Sequence, residues 1–166
     1  MNEFNEELEN SKSLADIFEL VKEAVRKTTG RSRAGLMLGL ADLGGDMRGF
    51  IGAFYPVDSN IIVMNKTPLE RISETNPELY KPYTFHILLH EYIHSLGILD
   101  ENLVRRKTYE ISKEMFGEKH LATELAVDMG KFLPDFVYSE HGWQPREMPP
   151  IELVRDFAKS DTRYIA

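Results

Sequence analysis

His90-Glu91-Tyr92-Ile93-His94 is the stretch whose reading decides the rest of the chain. Its two histidines stand four apart, which on an α-helix is one turn and one face. That spacing lets both imidazoles reach a single metal ion. Glu91 projects about 100° away from His90, beside such an ion rather than onto it. Working outward, Phe85, Leu88, Leu89, Tyr92, Ile93 and Leu96 fall on one broad helical face. Tyr83, His86, His90, His94 and Gly97 fall on the other. The spacing therefore predicts a helix that docks its apolar side on a sheet and turns its histidines into a cleft. The plainer alternative is a buried helix whose histidines are satisfied by neighbours. Two imidazoles and a carboxylate on so apolar a helix are costly without a partner, which favours the metal.

The H-E-x-x-H pattern on a helix resembles the zincins, the broad group of metallopeptidases that carry it, over roughly residues 83 to 101. The resemblance implies an α+β fold of zincin-like form, with a small mixed sheet packed on the active-site helix and additional helices around it. It also implies zinc on His90 and His94, Glu91 as general base, and a peptide or protein substrate. In that group an edge strand above the metal pairs with extended peptide, a role for residues 59–65 or for the glycine-bearing strand at 48–55. An interior strand is the alternative for 61–64.

A hydrolytic zinc usually takes three protein ligands. His120 leads the candidates for the third, because neutral imidazole is a preferred zinc donor and the residue stands at a helix start. Its difficulty is reach, since a helix over 101–116 travels about 24 Å. Asp100 is the alternative. His90-Glu91-x-x-His94-x-x-Gly97-x-x-Asp100 resembles the metzincin consensus in its Asp variant, although Asp100 is also placed to cap a helix. Glu124, with Asp128 four on, resembles the second motif of the gluzincins, and His141 is more distant. His86 reads as a cleft-wall residue. Tyr138, His141 and Tyr109 are candidate donors to an oxyanion. Two other readings stay open: a non-enzymatic zincin-like zinc-binding interaction module, closed by a fourth protein ligand, and a hydrolase of non-peptide amides.

Composition narrows the field. At 166 residues the chain is long enough for one core, expected over 13–166 behind a flexible N-terminal segment, 1–12. A net charge of −7 argues against nucleic-acid binding through phosphate contacts. With no cysteine there are no disulfides and no thiolate metal sites, in keeping with a reducing compartment. The polar, acidic start is unlike a signal peptide, and no apolar run is long enough for a membrane span. The expectation is a cytoplasmic protein.

Periodicity supplies the rest. Leu14, Ile17, Phe18, Val21, Ala24 and Val25 predict a helix over 14–29, capped by Ser13 and stopped by Gly30. Residues 34–40, 48–55 and 60–65 read as strands, with turns at 42–46 and 56–59. Thr67-Pro68-Leu69-Glu70 reads as a capping box opening a short helix. Further helices are expected over 101–116, 120–132 and 151–159. The aromatic run after Pro134 reads as packing.

Overall fold

Seven helices and six strands form among residues 2–45, 49–140 and 143–155, which this computed structural model describes. In chain order they are α1 (Glu3–Asn10), α2 (Leu14–Thr29), β1 (Met37–Ala41), β2 (Phe50–Ile51), β3 (Ala53–Phe54), β4 (Ile61–Asn65) and α3 (Lys66–Thr75). There follow α4 (Pro77–Ser95), α5 (Glu101–Phe116), α6 (Leu121–Val127), α7 (Met129–Phe132), β5 (Phe136–Val137) and β6 (Glu152–Leu153). The arrangement is mixed α+β, with a small mixed sheet. Among the described residues no helix is long and apolar enough to cross a membrane.

The signals at helix ends act as their chemistry dictates. Ser13 accepts a hydrogen bond from the Asp16 amide at the start of α2, and Gly30 closes that helix with a positive φ of 73°. Asp100 accepts from the amides of Asn102 and Leu103 at the start of α5, and Gly117 follows its last turn. Gly97 has φ 96°, the left-handed conformation that lets the chain leave α4 and turn sharply into α5.

Several boundaries differ from expectation, each for a local reason. The segment expected to be flexible holds a helix, α1, over Glu3–Asn10. Asn2 caps α1, and Phe4 and Leu8, one turn apart, are buried. The Phe4 ring packs against Phe85 and Phe116 at centroid distances of 5.9 and 5.1 Å. The cap of α3 is Asn65 rather than Thr67. Its Oδ1 takes the amides of Leu43 and Thr67, and its Nδ2 donates to the carbonyls of Gly44 and Ile51. α4 begins at Pro77 and runs through Pro82, whose missing N–H falls in the second turn. The helix expected over 120–132 breaks at Asp128, which caps α7. Instead of a helix, residues 152–153 form a strand, and the remainder of the segment expected to 159 lies outside the described residues.

The main sheet has the order β3-β4-β1-β6. β1 and β4 are parallel, with Gly39 opposite Val63, while β3 and β6 join as antiparallel outer strands. The strand expected over 48–55 is interrupted at Gly52. β2 leaves to pair with β5 in a separate parallel ribbon, and β3 stays with the main sheet. A Cβ at Gly52 would lie 2.7 Å from the Tyr83 hydroxyl, so the sheet meets α4 closely there.

α4 is the axis of the core. It touches α2, α3, α5, α6, β3 and β4. Nearly every residue from Leu79 to Ser95 is buried, so the helix is covered on its histidine face as well as its apolar face. The large buried cluster runs from Phe4 to Met129, and each large apolar side chain in it contributes about 1.5–3 kcal/mol of burial. A smaller cluster of Ala41, Phe54 and Val63 is covered by Trp143 and Ile151.

Candidate metal centre

Three side chains converge where α4 turns into α5. His90 and His94 come from adjacent turns of α4, and Glu101 is the first residue of α5. Each offers a donor atom within 4.8 Å of the others, a group able to hold a metal ion. Nε2 of His90 stands 2.8 Å from one Glu101 carboxylate oxygen, and Nε2 of His94 stands 3.0 Å from the other. The local cause is the cap. Asp100 ends the turn by binding the first amides of α5, which places the next residue at the very start of that helix, against the last turn of α4.

The hydrogen bonding is what a cation would complete. His94 Nδ1 lies 2.9 Å from the Ile98 carbonyl, which only accepts, so Nδ1 carries a proton. In the neutral ring Nε2 then presents a lone pair to a carboxylate oxygen. Two acceptors 3.0 Å apart require a proton or a metal ion between them. His90 is more telling. Its Nε2 is close to Glu101 Oε1, but at an angle that makes no hydrogen bond, and both atoms, together with His90 Nδ1, are buried without a hydrogen-bond partner. Buried polar atoms without partners are costly, and a cation bound between them would satisfy them. A tetrahedral zinc with bonds of about 2.0–2.1 Å sets its donors about 3.3 Å apart, and the three donor atoms here lie within 4.8 Å of one another. Two imidazoles and a carboxylate are a donor set that zinc takes.

Electrostatics follow from burial. Burial lowers the pKa of His90, with the Glu101 carboxylate opposing, so the ring tends to the neutral, ligating form. Burial alone would raise the pKa of Glu101. The contacts and charges of His90 and His94 outweigh it and hold the carboxyl well below its ordinary range. Glu91 is pushed the other way: burial, and then the Glu101 charge, raise its pKa well above the ordinary carboxylate value. Two carboxyls at one site are thus driven apart, the lower suited to ligation and the upper to holding a proton.

An aromatic wall closes one side. The Tyr138 ring lies nearly flat on His90, with centroids 4.6 Å apart and planes at 24°. The Arg105 guanidinium sits 4.3 Å from the Tyr138 ring centre, and its Nε is 3.5 Å from Glu101. The Tyr138 hydroxyl is 2.8 Å from His86 Nε2. The described aromatics after Pro134 pack against the fold, Tyr138 on His90 itself.

The other candidates fall elsewhere. Among the described residues the group that could hold a metal ion joins Glu101, and not His120, to His90 and His94. His120 caps α6 through Nδ1, bonds Asn5 through Nε2 at 2.6 Å, and stacks on Phe116. α5 is a straight run of 16 residues, so it carries His120 about 24 Å along its axis from the site. Asp100, the alternative, spends its carboxylate on the α5 cap. Glu124 lies in α6, outside the three-residue group. His141 lies outside the described residues. Glu101 was legible only as the acid next to a capping Asp; the spacing Gly97-x-x-Asp100 drew the reading one residue short. β4 has strands on both sides, so it is interior rather than an edge for peptide. β3 is the outer strand, but its Ala53 carbonyl already accepts from Ser139 Oγ at 3.0 Å.

Comparison finds no matching protein-family model, no matching curated protein and no matching solved structure. The site is therefore read from its own geometry.

Proposed function

We propose that this chain is a zinc-dependent peptidase of zincin type, with His90, His94 and Glu101 holding the metal and Glu91 as general base. The observation that carries the reading is the convergence of His90, His94 and Glu101, of which His90 and Glu101 have buried polar atoms without a hydrogen-bond partner among the described residues, beside Glu91 on the helix of the two histidines. Bound zinc supplies Lewis acidity: it acidifies water and polarises a carbonyl. The chain's own residues do the remainder. Glu101 and the two neutral imidazoles fix the metal position from two helices. Glu91, next to His90 on the same helix, would in its ionised form accept a proton from water and pass it to the leaving amine. The apolar packing around α4 keeps bulk water away and strengthens each of these interactions.

The same donor set suits ferrous iron. Glu91 favours hydrolysis, because a buried carboxyl of raised proton affinity has a role in activating water. The group found among the described residues has three donors, the number a catalytic zinc takes from its protein. Metal analysis of the purified protein, with a screen against a broad peptide library, tests the reading. One zinc per chain with zinc-dependent cleavage is expected. Cleavage that survives complete removal of metal would overturn it.

A further inference from the structure

The buried histidine that the metal does not use is His86. It is 1% exposed, one turn before His90, and its Nδ1 has no hydrogen-bond partner. Among the described residues its one side-chain hydrogen bond is with the Tyr138 hydroxyl. Resting on the hydrolytic reading above, we infer that the Tyr138 hydroxyl donates a hydrogen bond to the carbonyl oxygen of a bound amide substrate, and that His86 is the positioning residue that frees it to do so.

The argument is one of proton placement. The neutral His86 ring carries one N–H, on either Nδ1 or Nε2. If that proton sat on Nδ1, a buried N–H would be left without an acceptor, the rarer and costlier kind of orphan. With the proton on Nε2, only a lone pair is orphaned, and the N–H donates to the Tyr138 oxygen. The phenolic proton is then not spent on His86.

The donor is held still. The Tyr138 ring is stacked on His90 and carries Arg105 on its π-face. Next in the chain, Ser139 is pinned through its hydroxyl to Ala53. A fixed hydroxyl beside a metal-ligating ring is a preorganised donor for charge that grows on a carbonyl oxygen during attack. Tyr109, the other described candidate, has its ring against Lys113 on α5.

Two measurements test this on the full chain. The first needs neither metal nor substrate: the nitrogen-15 chemical shifts of the histidine rings in the metal-free protein, with His86 assigned by its loss in His86→Gln. A protonated Nε2 and a bare Nδ1 are expected, and the opposite tautomer would overturn the inference. The second uses zinc-loaded protein and a peptide it cleaves. Tyr138→Phe should lower kcat by about a hundredfold, with KM and zinc affinity nearly unchanged. His86→Leu should lower kcat as well, and His86→Gln, whose amide can donate, should restore most of it. A parent that cleaves and a Tyr138→Phe variant that cleaves equally well would end this inference alone. A zinc-loaded parent that cleaves nothing would end the hydrolytic reading, and this inference with it.

Discussion

Replacing Glu101 with Gln tests the centre most directly. The change keeps the size of the side chain but removes the charge that faces Nε2 of both histidines at 2.8 and 3.0 Å. Two costs can be separated. In the metal-free protein Glu101 is an acid in the first turn of α5, worth about 0.3–1 kcal/mol against the helix dipole. The zinc-loaded protein loses a ligand. Loss of a residue that merely supports a ligand typically costs about 10- to 100-fold in affinity, so loss of a ligand costs at least about a hundredfold, or about 2.7 kcal/mol. At free zinc about a thousand times the parent's Kd, zinc stabilises the parent by about 4.1 kcal/mol, but the variant by only about 1.4 kcal/mol. For a domain of this size that difference is about 5–11 °C in Tm. The assay is a pair of melting curves with zinc and with a strong chelator, alongside a competition titration of zinc affinity. His120→Ala and Asp100→Asn are the controls, and both should keep the zinc-dependent gain in Tm. If Glu101→Gln keeps that gain while His120→Ala loses it, the convergence described here is not the metal site.

Further outcomes follow from other residues. Glu91→Gln should retain zinc and lose at least about a hundredfold in peptide cleavage, measured with equal metal loading; a variant as active as the parent would remove Glu91 as the base. Phe4→Ala should destabilise the whole fold by about 3–5 kcal/mol in urea, because its ring fills space between Phe85 and Phe116; a negligible change would mean that α1 is peripheral after all. In the metal-free protein His86 stays neutral down to about 3, while in the unfolded chain it takes a proton near 6.5. Between those values the unfolded chain binds the extra proton, so stability falls as pH drops, by up to about 1.4 kcal/mol per pH unit from this residue. His86→Gln should flatten that slope, and parallel slopes in parent and variant would refute the assignment.

How much was legible in the sequence depends on how local each signal was. α2, β1, β4 and α5 announce themselves through periodicity and caps that act within a few residues, such as Ser13, Gly30 and Asp100. α1 did not, because eight polar-looking residues with two apolar positions become a helix only when Phe85 and Phe116 are there to receive Phe4. The break of the strand at Gly52 depends on Tyr83, far along the chain, pressing on that point. His90, Glu91 and His94 could be read because one helical turn sets their relation. Glu101 could not, because its position depends on the angle of the turn through Gly97. His120 lies beyond the far end of the 16-residue α5, where it caps α6 and bonds Asn5.

That turn has a consequence for how the centre assembles. All three donors lie between residues 90 and 101, on two helices joined by one tight corner. Bringing them together closes a very short loop, and the entropic penalty of closure grows only with the logarithm of loop length, so here it is small. No distant strand must arrive before the ion can bind. A metal encountered by a partly folded chain would therefore clasp the α4–α5 corner first, and would hold the long buried helix in register while the sheet and the N-terminal helix are still finding their places.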